Sequence, residues 1–340
     1  MLINKEKKLR DIVRFITFIF AAISIVLLAG CDLIGGKESK PTVPGKIVFS
    51  KSDKSGDYLK IFKMNTDGSG VKKLVDFNGL SSFQPSWGPD GQQIVFTSAK
   101  MGIHGEPAIF LMNADGSNKR PMKVYPEYPA IAIGGDSPVL SPDGSRIAYE
   151  VCSNCGGAGG RNFEIMVYDF ETDSITRVTN NHWPDRHPSW SPDGTKLAFS
   201  TELPYADTNI RGFKQDIYTI SLEDGTLTRI TNTGNASAAN WSPDGRFIAY
   251  QTSVGGEQSY IYDLENNSTT QLLPGFRTSF GIQWSRKGSM IAVKASKNSD
   301  LANEVRYYNI EENNIEFVHL EQYTPQVIGT RFKWYYNENE

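Results

Sequence analysis

One phrase recurs along this chain at nearly even intervals, and it restricts the fold more than any other feature. PSWGPDGQQIVFTS ends at Ser98, PVLSPDGSRIAYE at Glu150, PSWSPDGTKLAFS at Ser200 and ANWSPDGRFIAYQ at Gln251; another copy, IQWSRKGSMIAVK, ends at Lys294 without the Pro-Asp pair. The anchor positions, Trp87, Leu140, Trp190, Trp241 and Trp284, stand 53, 50, 51 and 43 residues apart. A period of about fifty belongs to a propeller blade or another array whose units bury their faces against neighbours. In Ser191-Pro192-Asp193-Gly194, proline fixes φ at the second turn position and glycine relieves the strain after it. The run that follows alternates: Ile94/Phe96, Ile147/Tyr149, Leu197/Phe199 and Ile248/Tyr250 are each spaced by two, the period of a strand.

A second motif follows in each unit: YLKIFKMNTDGSG, PAIFLMNADGSNK, FEIMVYDFETDSI, DIYTISLEDGTLT, SYIYDLENNSTT and EVRYYNIEENNIE. Each reads as a strand, a polar turn and a return strand, so one unit holds four strands. The second motif has one more copy than the first, and the missing piece is divided between the chain ends. GKIVFS, Gly45 to Ser50, matches the strand after the turn, and RFKW, Arg331 to Trp334, the strand before it; Trp334 lies 50 residues after Trp284. The expectation is an all-β, six-bladed β-propeller with four antiparallel strands per blade. Its ring would be closed by N- and C-terminal strands sharing one blade, which leaves no edge strand unpaired.

WSPDG followed by an IAFS-like strand resembles the repeats of TolB-like β-propellers, over nearly all of residues 45–334. The resemblance implies a six-bladed propeller domain over residues 45–340. The helix-containing amino-terminal domain found in Tol-system members of that family has no counterpart here, so the resemblance does not carry a Tol-system role with it. Oligogalacturonate lyases also resemble this repeat and place a metal with histidines on the channel face. His182, Asp185 and His187 imitate part of that site without a convincing remainder.

The amino terminus is a separate matter. Five basic and two acidic residues precede sixteen uncharged, mostly apolar ones, Phe15 to Gly30, the layout of a secretory signal over residues 1–30. LLAGC, ending at Cys31, resembles the lipobox of bacterial lipoproteins, which implies cleavage before Cys31 and lipidation of its thiol. Residues 31–44 then read as a lipidated cysteine and flexible tether, and the protein as one held on a membrane of the bacterial cell envelope by its lipid. Sixteen residues is only just short of a spanning helix, so an uncleaved anchor is the alternative. Without residues 1–30 the chain keeps 30 basic and 36 acidic side chains, a formal charge of −6. That balance argues against nucleic acid. Cys152 and Cys155, in an exported protein, read as a local disulfide; a zinc site would need ligands that no second pair supplies.

Turns of a four-stranded meander alternate between the two faces of the disc. The Ser-Pro-Asp-Gly and Asp-Gly turns share one short, uniform face, while the long, varied loops share the other, where function is expected. There, residues 180–190, NNHWPDRHPSW, gather His182, Trp183, Asp185, Arg186 and His187 at the channel entrance. Arg186 would give paired donors to a carboxylate, and Trp183 a stacking plane for a sugar or peptide; the alternative is that Asp185 and Arg186 pair locally and Trp183 caps the blade. Four residues before each anchor stand Phe83, Asp136, Arg186, Ser237, Phe280 and Thr330. Asp136 and Arg186, on adjacent blades, read as an ion pair, structural or part of a site. Tyr125, Tyr128, Tyr205, Phe213 and Phe276 either form a peptide-binding surface or fold back onto the disc. Catalysis is poorly supplied: the chain has no G-x-S-x-G elbow, and HWPDRH lacks the H-E-x-x-H spacing of a zinc hydrolase. The expectation is a lipid-anchored envelope protein whose propeller binds a protein or peptide without chemistry, cofactor or metal. The alternative is a glycan-binding protein or polysaccharide lyase-like enzyme using His182 to His187.

Overall fold

The computed structural model describes residues 45–52, 58–99, 108–122, 133–154, 162–202, 214–252, 257–296, 304–310, 314–318 and 332–335, all within one compact unit, Pro41–Glu340. These residues form strands only, arranged as six four-stranded antiparallel sheets. The first contains β1 (Lys46–Ser52), β2 (Leu59–Asn65) and β3 (Lys72–Val75), with the last strand of the chain beside β1. The second contains β4 (Ser82–Trp87), β5 (Gln93–Ser98), β6 (Ala108–Asn113) and β7 (Arg120–Pro121). The third contains β8 (Ile133–Leu140), β9 (Arg146–Asn154), β10 (Asn162–Asp169) and β11 (Ser174–Arg177). The fourth contains β12 (Asp185–Trp190), β13 (Lys196–Thr201), β14 (Asp216–Ser221) and β15 (Leu227–Arg229). The fifth contains β16 (Ala236–Trp241), β17 (Phe247–Thr252), β18 (Gln258–Asp263) and β19 (Ser268–Leu272). The sixth contains β20 (Arg277–Trp284), β21 (Met290–Ser296), β22 (Glu304–Asn309) and β23 (Asn314–Val318); β24 (Phe332–Tyr335) ends the chain.

The repeated turn does more than reverse the chain. In Ser191-Pro192-Asp193-Gly194, the Ser191 hydroxyl accepts from the Lys196 N–H at 2.9 Å and donates to Asp193, whose Oδ1 also accepts from the Thr195 N–H at 3.0 Å. Ser141 with Asp143 and Ser242 with Asp244 repeat this network. Gly194 closes the turn at φ 68°, a value that a side chain disfavours. Neighbouring turns also touch. A Cβ built on Gly245 would lie 3.3 Å from Pro192, and one on Gly288 would lie 3.6 Å from Pro243. Proline of one sheet therefore seats on glycine of the next. Where Lys287 replaces aspartate, Ser285 still accepts from the Met290 N–H at 3.0 Å and the Gly288 N–H still reaches Ser285 O at 3.0 Å. Serine and glycine are the parts the turn requires.

The alternation of each second strand sets how sheets pack. On β13, Leu197 and Phe199 enter the apolar seam with the third sheet, while Ala198 enters the seam with the fifth. Ile94/Phe96 with Val95, Ile147/Tyr149 with Ala148, and Ile248/Tyr250 with Ala249 divide in the same way. Every such strand turns its large side chains toward the preceding sheet and its small one toward the following sheet. Large then meets small across each seam, and native packing density follows.

The closed six-bladed ring read from the repeat needs correction. The described residues form an all-β propeller joined by five apolar seams, between consecutive sheets from the first to the sixth. β24 pairs with β1, Phe49 opposite Phe332 through Lys46 opposite Tyr335, but no apolar seam joins the sixth sheet to the first among the described residues. Ile47, Phe49 and Ala292 are buried on faces that the five seams leave over. The segment leading into β24 and its side chains lie outside the described residues, so the sharing of a sheet by the two ends stands as strand pairing and not as ring closure.

Ser191→Ala leaves the Lys196 N–H without its hydroxyl acceptor, and urea denaturation is expected to show a loss of about 1–3 kcal/mol. Asp193→Lys, which copies the natural Lys287, is expected to cost less than half as much.

Candidate functional site at the channel wall

The innermost strands β4, β8, β12, β16 and β20 each carry a register shift just before the anchor residue. At the shift one residue takes positive φ: Gln84 (51°), Ser137 (50°), His187 (59°), Ala238 (57°) and Gly281 (124°). Non-glycine residues reach this region at a cost of about 1 kcal/mol or more, so recurrence on successive strands marks a bulge built into the repeat. The bulged residues line a cavity of about 60 Å³. A bore of that size holds a few water molecules, whereas small-molecule sites run to roughly 300–1,000 Å³.

The polar groups of this wall gather around Glu150, which the repeat marks only as the end of a phrase and not as a site residue. It is 1% exposed at the end of β9. Its Oε1 accepts from the His187 N–H at 2.6 Å, and His187 Nε2 lies 4.0 Å from the same oxygen. Arg186 Nη1 stands 3.9 Å from Glu150 Oε2, and its guanidinium lies 3.7 Å from the centre of the Phe163 ring. Asp136 is the cross-strand partner of Glu150. The strained backbone of β12 thus delivers its N–H to a buried carboxylate of the preceding sheet. Arg186, read from sequence as a donor fork for a ligand carboxylate and as an ion-pair partner of Asp136, has Glu150 and Phe163 beside it. Ser200 Oγ reaches His187 Nδ1 at 3.4 Å. Glu202, on the following residue but one, has its carboxyl pushed up by burial, partly offset by Arg186.

Two further buried acids organise the connections that lead into these inner strands. Glu164 accepts from Thr179 Oγ1 at 2.8 Å and from the Asn181 N–H at 3.1 Å, and pairs with Arg177 at 3.1 Å. Asp216 repeats the arrangement with Thr231, the Thr233 N–H and Arg229. The matching segments RVTNN and RITNT carried this signal in the sequence. Asn181 then accepts from the Trp183 N–H at 2.7 Å, which leaves His182 exposed and Trp183 half-buried on the turn before β12.

Asp185 is fully buried. Its Oδ2 accepts from Asn181 Nδ2 at 2.7 Å, and its Oδ1 has no hydrogen-bond partner. Burial pushes its carboxyl up to about 6, against the opposing pull of Thr201, Thr179 and Asn181. Asp185 is therefore a buried acid beneath the loop and not a surface ligand. Cys152 is buried and disulfide-bonded; Cys155, Tyr128, Tyr125, Tyr205, Phe213 and Cys31 lie outside the described residues. Phe276 packs into the seam between the fifth and sixth sheets, which removes it from the aromatic surface read from sequence. Among the described residues, no group of three or more His, Cys, Asp or Glu is arranged to hold a metal ion.

Known proteins share this architecture. The chain matches the TolB beta propeller domain family over residues 135–322, more than half its length. A Tol-Pal system protein TolB from Francisella tularensis subsp. mediasiatica is 34% identical over 133 residues, 38% of this chain and 28% of that protein. The chain therefore corresponds to about a quarter of the length of that relative. TolB from Acinetobacter baumannii superposes with TM-score 0.63 at 20% identity, covering 85% of this chain and 66% of that one. An oligogalacturonate lyase in complex with manganese superposes with TM-score 0.58 at 14% identity, covering 84% and 76%. At these identities the two structures share a fold with this protein and nothing finer.

Asp185 generates a pH test. Its folded value lies above its ordinary one, so the native state holds a proton that the unfolded chain releases. The stability it contributes is complete below about pH 4 and is lost as pH rises through about 6. Relative to Asp185→Asn, the wild type is expected to lose about 2–3 kcal/mol between pH 4 and pH 7.5, read from urea midpoints at both pH values.

Proposed function

Because the chain belongs to the TolB beta propeller domain family, we propose that it is a cell-envelope protein whose propeller binds another protein or a peptide without chemistry. The observation that carries this reading is the combination of a bore of about 60 Å³ with a charged wall at Asp136, Glu150, Arg186 and His187. The narrow bore favours a partner that lies across the opening over a small molecule enclosed within it. The wall is pinned by hydrogen bonds across a seam and needs no rearrangement, which limits the ordering cost of association. The name of the Francisella relative, a Tol-Pal system protein, supports an envelope setting. The reading includes lipid anchoring at Cys31, supported by LLAGC and the apolar run before it.

A glycan or lyase reading draws on fold likeness alone. His182 is exposed, whereas the His187 N–H is bonded to Glu150.

Crosslinking of the lipidated protein in its own membranes, against a signal-only lipoprotein, tests the proposal. A specific envelope protein is expected to be captured, with capture reduced at least fivefold by Arg186→Ala and unaffected by chelators. Capture that ignores Arg186→Ala, or saccharide binding that needs a metal, would contradict it.

A further inference from the structure

The face of the short turns holds a recess wider than the channel bore. It has a volume of about 800 Å³, within the range of about 300–1,000 Å³ typical of ligand pockets. Turns of the second sheet (Asp90, Gln92) and third sheet (Asp143) form one side, and Lys63 and Arg286 of the first and sixth sheets supply the cations.

The wall carries charges of both signs. Asp143 is held by its Oδ1, which accepts from the Ser141 hydroxyl and from the Ser145 N–H at 3.0 Å. These bonds hold its carboxyl down to about 2, so it stays ionised. Asp115 is fixed in the same way by the Ser117 N–H at 2.8 Å and the Ser117 hydroxyl. In both residues Oδ1 builds the turn, and Oδ2 makes no hydrogen bond among the described residues. Opposite them the repeat breaks: the sixth sheet places Arg286-Lys287 where earlier turns carry Pro-Asp. Arg286 is exposed and has no hydrogen bond or ion pair among the described residues. Lys63 donates to the neutral Ala114 carbonyl at 2.8 Å. Its ammonium is disfavoured first by burial and then by Lys72, while Asp115 supports it. The uncharged amides of Gln92 and Gln93 also line the recess.

We infer that this recess is a second binding site, one that takes a short peptide segment carrying both a carboxylate and an ammonium. Arg286 receives the carboxylate as paired donors, the fixed aspartates receive the ammonium, and the amides pair with the peptide backbone. Opposite charges set on rigid turns discriminate between partners more than they add raw affinity. A singly charged segment leaves the wall charges of one sign without a partner. The site lies on the opposite face from the Glu150 cluster and does not depend on it.

Titration calorimetry of the full protein with three blocked hexapeptides tests the inference. One probe carries Lys and Glu three residues apart, one carries Lys alone and one Glu alone. The mixed probe is expected to bind at least tenfold more tightly than either single-charge probe, and to lose at least tenfold on Arg286→Ala and on Asp143→Asn. Asparagine keeps the Oδ1 acceptor and so preserves the turn. Arg286 takes no part in holding its own turn, so Arg286→Ala melts like wild type and decides the matter even if the other variant does not fold. No binding of the mixed probe, equal binding of the three, or affinity that survives Arg286→Ala would overturn the inference.

Discussion

Everything in this propeller rests on how one sheet lies against the next. Each second strand presents large apolar side chains on one face and a small residue on the other, so the seams are directional and large meets small at every step. A single repeat unit cannot bury its apolar faces without its neighbours. Burial of Phe199 at 1% and of Ala198 at 0% exists only because both neighbours are in place. The turn network adds a second coupling at the rim, where the proline of one unit seats on the glycine of the next.

Polar groups follow the same logic. Glu164 and Asp216 are buried carboxylates that would be costly alone, yet each is satisfied by a threonine hydroxyl, by backbone N–H groups and by an arginine. They fix the segments that enter the fourth and fifth inner strands. Glu150 fixes the strained bulge of the fourth. A buried acid that joins consecutive sheets is thus the device by which a rigid scaffold positions the channel wall. Asp185, with one oxygen unpartnered, departs from it and carries the pH sensitivity.

Much of this was legible in the amino-acid sequence because the repeat places the same physics at the same offset. Strand alternation, the reversing turn and the anchor residues all followed from period and residue type. Other features were not legible, for identifiable reasons. Gln84, Ser137 and His187 each precede proline, a position ordinarily confined to extended backbone at negative φ, and tertiary pairing places all three at positive φ. Glu150 looked like the polar end of an alternating strand; only the occupants of the same register, Thr97, Ser200 and Gln251, mark a carboxylate there as unusual. Arg186 has Glu150 of β9 and Phe163 of β10 beside it, neighbours that ring position alone does not reveal. Phe276 lies in a connection yet belongs to a seam. The ring drawn from the split terminal phrases went further than strand pairing supports, since pairing of β24 with β1 says nothing about apolar packing on the sixth sheet.

The central claim is that the channel-wall cluster is as rigid as the core because the same seams hold both. Native-state hydrogen exchange of the His187 and Ser137 amides, compared with those of Ala198 and Ala249, tests it most directly. The account predicts that all four exchange through one shared opening, with free energies within about 1 kcal/mol of each other. His187 and Ser137 exchanging through a local opening several kcal/mol easier than that of Ala198 would contradict it, and the wall would then be a mobile surface and not a preformed one.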